Sequence, residues 1–249
     1  MVIDAIYWFG VQGYEGLLSS VWEELCRKSV NVLEIGANLG LFSCIGARSM
    51  QKGKYTAVEP LPAAASVLRK NLARNIPASP LLSVEIVEAA AVSDPSARVA
   101  RINVPNDGRD IPVGSHLTEG VEIKDRKRRS EVEITAIPFC DLARDRDLIK
   151  IDAEGIEYEL LAGAMGRLVE HRPTIVVEVL PEANRLAAFL GELASRCGYR
   201  ITVVPAFGTG GLRQIEPVQF TSRTPQEYNS KDCVLSLDDL AIQGQAPGF

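Results

Sequence analysis

Residues 30–42 read VNVLEIGANLGLF, and this stretch decides the fold. VNVLEI is a short apolar run bounded by a turn signal, the pattern of a strand buried on both faces. Gly36 then allows a sharp turn and a close approach by a ligand. Gly40 opens a helical pattern over residues 40–50 and is expected to let that helix pack near the sheet. A helix that starts at such a turn points free N–H donors and a partial positive charge at whatever sits there. A dinucleotide site asks for G-x-G-x-x-G, with a middle glycine that makes room for a pyrophosphate. This turn is G-x-x-x-G with Asn38 inside it. The Asn38 side chain would intrude on a pyrophosphate, but it can hydrogen-bond a ligand's amino-acid end or brace the turn. Glu34 adds a carboxylate at the strand end, which suits an ammonium or sulfonium charge and suits a diphosphate poorly.

Outward from this turn, strand and helix patterns alternate. Leu18, Val21, Trp22 and Leu25 form a helical stripe upstream. Downstream come a strand at Tyr55–Val58, a helix through Leu61, Ala65, Leu68 and Leu72, and a strand at Val84–Val87. Residues 95–138 break the rhythm with Pro95, Pro105, Pro112, Gly108, Gly114 and the charged run Lys124–Arg129. Short β-type runs at Arg98–Val104 and Glu131–Ile137 flank that loop, so it reads as an antiparallel hairpin with a solvated tip. Then follow a strand at Leu148–Ile151, one helical stripe from Ile156 to Leu168, a strand at Thr174–Val179, a helix ending near Cys197, and strands at Ile201–Val204 and Cys233–Leu237. The expectation is an α/β fold: a doubly wound, mainly parallel sheet with helices on both faces and a β-hairpin insertion.

Composition narrows the classes. The 249 residues are 46% hydrophobic and 24% charged, which excludes disorder. Lys and Arg number 27 against 32 Asp and Glu, a net charge of −5. That argues against nucleic acid as a general partner. No apolar run is long enough to span a membrane. The opening stretch MVIDAIYWFGVQGYEG lacks a basic segment and a small-residue cleavage site, so the expected location is cytoplasmic. Its Tyr7-Trp8-Phe9 cluster reads as packing for the first helix. Five cysteines, far apart and without a C-x-x-C pair, are expected to be reduced thiols.

In a sheet of this kind ligands sit beyond the carboxyl ends of the strands, near the point where strand order reverses. Residues that follow strands are therefore the candidates. Glu59 closes the second strand, 23 positions after Gly36. A carboxylate there can accept hydrogen bonds from both hydroxyls of a ribose. Ala89-Ala90-Ala91, then Val92 and Ser93, follow the third strand, and such small residues can floor a flat adenine ring. Asp152 and Glu154 follow the fourth strand in LIKIDAEG. Glu157 and Glu159 begin the next helix, where the dipole favours anions.

The order EIGANLGLF, AVEP, AAAVSD, DLIKIDAEGIEYELLAGA and RPTIVVEV resembles the FkbM family of S-adenosylmethionine-dependent methyltransferases, over roughly residues 14–204. The resemblance implies a seven-stranded Rossmann-like sheet whose last strand is inserted antiparallel. The length predicts one domain, a single methyltransferase domain over 1–249 with an N-terminal helical segment over 1–29 and the 95–138 hairpin on the acceptor side. The resemblance implies S-adenosylmethionine as cofactor and a hydroxyl of a sugar or other small natural product as acceptor. Carried onto this chain, Glu34, Gly36, Asn38 and Gly40 match the first motif and Glu59 the ribose acid. Ala91 and Ser93 lie in the adenine-side motif. Asp152 matches the acid beside the methionine moiety and acceptor, and Glu178 the acid of the fifth strand.

Methyl transfer to an alcohol is an in-line displacement that gains from near-attack positioning and from a base. The base candidates are His116 in the insertion, Asp152 and Glu154. His171 precedes the fifth strand, at the opposite edge from the crevice, and reads as structural. Asp152, Glu154 and Glu178 offer oxygen ligands, but their spacing is not diagnostic and no metal is expected. The expected partner is the small-molecule acceptor, with no nucleic acid or membrane, and a homodimer is left open. Two other classes stay open on the residues alone: an oxidoreductase binding NAD or a nucleotide sugar, which Asn38 argues against, and a non-catalytic binding module.

Overall fold

A computed structural model describes residues 17–105, 116–117, 129–153, 155–205 and 211–240. Tyr7-Trp8-Phe9 and most of the charged run 124–129 lie outside the described residues. The elements in chain order are α1 (Leu18–Lys28), β1 (Asn31–Ile35), α2 (Leu41–Ser49), β2 (Gly53–Val58), α3 (Pro62–Asn75), β3 (Leu82–Val87) and β4 (Ala90–Val92). Then come β5 (Val99–Pro105), β6 (His116–Leu117), β7 (Arg129–Pro138), α4 (Phe139–Leu142), β8 (Leu148–Ile151), α5 (Glu157–Gly163), α6 (Met165–His171) and β9 (Thr174–Glu178). The remainder is α7 (Asn184–Cys197), β10 (Arg200–Val204), β11 (Arg213–Ile215), α8 (Thr224–Glu227) and β12 (Asp232–Ser236).

The main sheet has the order β11-β10-β12-β9-β8-β1-β2-β3. Strands β3, β2, β1, β8 and β9 are parallel neighbours. β12 enters antiparallel between β9 and β10. These seven strands are the expected core, and β11 adds an eighth at the edge, antiparallel to β10. It lies in a stretch where the sequence carries no strand signal: RQI is short and mostly exposed. The chain leaves β1 toward β2 on one side and returns to β8 on the other. The switch point of the sheet therefore lies between β1 and β8.

Alternation along each strand divides the interior into two layers. Val32, Leu148 and Val176 face α1, α2 and α3, whose contributions include Trp22, Phe42 and Leu68. Leu33, Ile149 and Ile175 face α5, α6 and α7, with Leu160, Leu168 and Leu190. Trp22 is fully buried, edge-on to Phe42 and Tyr55, and its indole N–H donates to the Phe42 carbonyl at 2.9 Å. The stripe from Ile156 to Leu168 is carried by two helices rather than one, parting at Ala164 between Gly163 and Gly166, where helix propensity is low.

The hairpin is present: β5 and β7 pair antiparallel in full register from Val99↔Thr135 to Pro105↔Arg129. It belongs to a separate four-stranded sheet, β4-β7-β5-β6. The tri-alanine segment, expected only as a floor after β3, supplies β4 and pairs parallel with β7.

All five cysteines are free. Burial pushes the thiols of Cys26 and Cys233 well above their ordinary 9.0, with the nearby Glu34 and Asp232 carboxylates adding to it. Burial does the same to the Tyr55 phenol, above 10.0. A group whose folded pKa is raised contributes stability that is complete below its unfolded pKa and is lost as pH rises toward the folded value. Urea unfolding at alkaline pH should therefore show stability declining from pH 9 upward, by about 1.4 kcal/mol per pH unit for each thiol that stays protonated in the fold. Cys26→Ala with Cys233→Ala should flatten that decline. A wild-type slope unchanged by the double replacement would contradict it.

Candidate active site

The carboxyl ends of β1, β2, β3 and β8 are tied together by main-chain hydrogen bonds. Gly36 and Ala37 donate to the Val58 carbonyl, both at 3.0 Å, Asp152 donates to Ile35 at 3.1 Å, and Glu59 donates to Val87 at 3.0 Å. Glu34, Glu59 and Asp152 thus stand at or next to the carboxyl ends of three adjacent strands, beside the switch point.

Gly36 adopts φ +80°, and a Cβ there would stand 1.9 Å from the Asp152 carbonyl oxygen. The close approach it permits is that of the chain's own β8 end. Gly36→Ala has no side chain to push aside, and the left-handed conformation alone costs about 1–2 kcal/mol. This replacement should destabilise the protein by more than about 2 kcal/mol in urea unfolding, and a loss under half that would show that the turn can shift. Gly40, at φ +91°, makes room for Leu68 of α3, with 2.5 Å between its would-be Cβ and Leu68 Cδ1. Its service is to helix–helix packing rather than to the sheet, as the sequence had suggested.

Asn38 is a non-glycine residue at φ 50°. Its main chain does the bracing: the N–H donates to Glu59 Oε2 at 2.8 Å. Leu61 N–H donates to Glu59 Oε1 at 3.0 Å. Glu59 is thereby clamped between the glycine turn and the start of α3, with each carboxylate oxygen holding one N–H and keeping capacity for a second donor. Burial raises its pKa, and the two N–H donors oppose that rise.

Glu34 does not present its carboxylate to the crevice. It is 1% exposed, and Oε2 accepts from both Ser43 Oγ at 2.5 Å and Tyr55 OH at 2.6 Å. Strand alternation accounts for this: Glu34 lies on the same face as Val32, beneath α2. Across the register it faces Lys150. The Lys150 ammonium is buried, lies 4.6 Å over the Phe42 ring and 3.0 Å from Asp152 Oδ2. Asp152 is the open end of this trio. Burial acts to raise its pKa, but the Lys150 charge and hydrogen bond outweigh it and hold the carboxyl below its ordinary range.

Glu157, read as a helix-dipole acid, does more. Its carboxylate accepts from Ala153 N–H at 2.8 Å and from Gly155 N–H at 3.1 Å, so it ties down the loop that follows Asp152. Glu154 itself lies outside the described residues. Ala91 is buried in the layer beneath α5. Ser93 packs against α5, its carbonyl 3.1 Å from where a Gly163 Cβ would be. His116 is on β6, opposite Asn103 of β5. His171 lies 3.9 Å from Asp145, at the far edge of the sheet.

Two features carried no signal strong enough to find. One is Lys150, visible only as a lone lysine in LIKI. The other is Lys231, paired with Glu178 where β12 and β9 meet the crevice side. The hairpin base also reaches this region, since Ile102, Val104 and Ile134 pack with Leu39 of the glycine turn and with Leu61 and Ala64 of α3. Among the described residues no three His, Cys, Asp or Glu side chains are grouped to hold a metal ion, and no helix is long and apolar enough to cross a membrane.

The donor set fits a cationic sulfur nucleoside. Glu59 offers a clamped pair of acceptors for a diol, and Asp152 offers an ionised carboxylate for a positive charge. The chain is 27% identical over 196 residues to the methyltransferase sdnD of Sordaria araneosa, covering 69% of this chain and 74% of that protein. It is 26% identical over 202 residues to the AMB antimetabolite synthetase AmbE of Pseudomonas aeruginosa, a match spanning 69% of this chain but only 10% of that protein. The crystal structure of methyltransferase FkbM from Methylobacillus flagellatus is similar at 18% identity and a TM-score of 0.46, covering 84% of this chain and 44% of that one. The sequence profile of the methyltransferase FkbM domain matches residues 34–201, and the chain belongs to this family of S-adenosylmethionine-dependent methyltransferases.

Proposed function

We propose that the protein transfers the methyl group of S-adenosylmethionine to a hydroxyl of a small natural product or sugar. The observation that carries this reading is the pairing of two differently prepared carboxylates at one switch point. Glu59 is held by two backbone N–H groups, and Asp152 is kept ionised by a buried lysine. When bound, the cofactor supplies an electrophilic methyl on a positively charged sulfur. Glu59 binds the ribose hydroxyls, and the Gly36–Gly40 turn lies along the amino-acid end. Ala91 and Ser93 belong to the adenine side. The relatedness to sdnD and to the antimetabolite synthetase AmbE supports a natural-product setting.

Rate enhancement in such a site comes from holding nucleophile and methyl in line and from excluding water. The acceptor side is assigned to the hairpin insertion, a reading supported by the packing of Ile102, Val104 and Ile134 on Leu39 and Leu61. A high-pKa alcohol needs a general base, for which His116, Asp152 and Glu154 are the candidates. The test is calorimetric titration of the full chain with S-adenosylhomocysteine, followed by turnover of S-adenosylmethionine with a panel of hydroxyl-bearing acceptors. Saturable binding and O-methylated product are expected. Folded protein that gives no binding heat would overturn the reading.

A further inference from the structure

Lysine is rare in a strand buried on both faces, because an unpaired ammonium removed from water is strongly destabilising. Lys150 occupies such a place in β8, between Ile149 and Ile151, with a side chain 4% exposed. Every group around it is chosen for a cation. Phe42 of α2 offers its ring face at 4.6 Å, Glu34 of β1 is its register partner, and Asp152 takes its hydrogen bond at 3.0 Å. Of the three charged groups, Glu34 and Lys150 are sealed, whereas the Asp152 side chain is 39% exposed. The trio therefore shows a ligand only one face, the outer side of the Asp152 carboxylate.

From this placement we infer that Lys150 is a positioning residue that fixes Asp152 as an aimed anion, and so assigns Asp152 to the cationic end of the methyl donor and not to the acceptor's proton. The inference rests on the methyl-donor reading above. A carboxylate already hydrogen-bonded to an ammonium is a poor proton acceptor, since general-base efficiency falls as the base weakens. The same pairing strengthens it as a fixed charge, because an ionised acceptor held in place costs no reorganisation when a cation arrives. Other titratable groups face this cluster. Tyr55 of β2 and Ser43 of α2 hold Glu34, and Cys44 of α2 feels its charge. Lys231 and Asp232 approach from the start of β12, Glu178 of β9 pairs with Lys231, and Glu157 of α5 secures the loop beyond Asp152. Burial works against a charged Lys150, but Asp152, Glu34 and Asp232 together hold its pKa above the ordinary value, which keeps the pair charged across the neutral range.

The test measures affinity for S-adenosylmethionine and S-adenosylhomocysteine by calorimetry on the full chain, from about pH 5 to about pH 8, where an unassisted, partly desolvated carboxyl titrates. Asp152→Asn should bind about tenfold or more weakly than wild type, by a factor that stays level across this range because the titration of Glu59 is common to both proteins. Lys150→Met should bind weakly and gain an acid limb, losing affinity as pH falls, which a purely structural lysine would not produce. The double variant should match Asp152→Asn. A Lys150→Met profile parallel to wild type, or losses that simply multiply in the double variant, would overturn the inference. Should Lys150→Met not fold, wild type and Asp152→Asn still decide it: equal affinities, or a wild-type advantage over Asp152→Asn that fades toward acid, would overturn it. Wild-type protein that binds neither nucleoside at any pH would instead overturn the methyl-donor reading, and this inference with it.

Discussion

Glu59→Ala should weaken S-adenosylhomocysteine binding by about 100- to 10,000-fold. Two hydrogen bonds from ribose hydroxyls to a carboxylate contribute about 1.5–3 kcal/mol each when the site is desolvated, and their joint loss corresponds to a factor of that size. The carboxylate also clamps Asn38 and Leu61 by their N–H groups. The alanine variant should therefore lose about 1–3 kcal/mol of stability from donors left unpaired. Glu59→Gln separates the two effects. It keeps one acceptor oxygen but turns an NH2 toward one of the two backbone donors, so its binding should fall between alanine and wild type. An alanine variant that binds within about threefold of wild type would place the ribose elsewhere.

The second large effect is on stability. Lys150→Met removes the cation from between Glu34 and Asp152 and leaves a sealed carboxylate at Glu34. Breaking a buried pair from one side costs about 3–5 kcal/mol, and urea unfolding at neutral pH should read a loss in that range. Glu34→Gln in the Lys150→Met background should recover part of it, because the amide carries no charge and still hydrogen-bonds Ser43 and Tyr55. The sign of the pH response follows from the same residues. The Lys150 pKa is raised above 10.5, so its contribution is complete below that pH and disappears as pH climbs through the folded value. Glu34 runs the other way. Burial lifts its carboxyl above 4.5 against the pull of Lys150, so its protonated form is favoured by folding and stability falls as pH rises through that window. A loss below about 1 kcal/mol for Lys150→Met would mean that the site is wetter than its burial indicates.

The sheet and its switch point were legible because they rest on local pattern. VNVLEI and TIVVEV read as strands because short runs rich in β-branched residues are bounded by turn signals, and the glycines mark the turn after β1. The place of Glu59 at the end of β2 is legible from the strand pattern. A glutamate near a strand end reads as pointing outward, whereas period-2 alternation sends Glu34 to the Val32 side, under α2. Lys150 was passed over because one lysine in four residues looks like a solvated interruption. Only the pairing of β1 with β8, a contact between residues more than a hundred positions apart, turns it into half of a buried pair. Gly40 was assigned to the sheet, but its neighbour proved to be Leu68, set by a helix–helix approach that no local pattern encodes. β11 escaped because three exposed residues at an edge have little hydrophobic signature. His116 illustrates another limit: sequence placed it in the insertion, and pairing with Asn103 places it on β6, yet its part in proton transfer is a matter for turnover measurements.

The threading of β12 bears on how the chain is made. β9 and β10 are synthesised well before the strand that lies between them, so during translation these two neighbours wait with their facing hydrogen-bonding groups unmatched. Such open edges invite pairing with other nascent chains. Closure at Asp232–Ser236 is thus the step that retires this hazard, and chains released from the ribosome before that segment emerges should be the ones that chaperones retain.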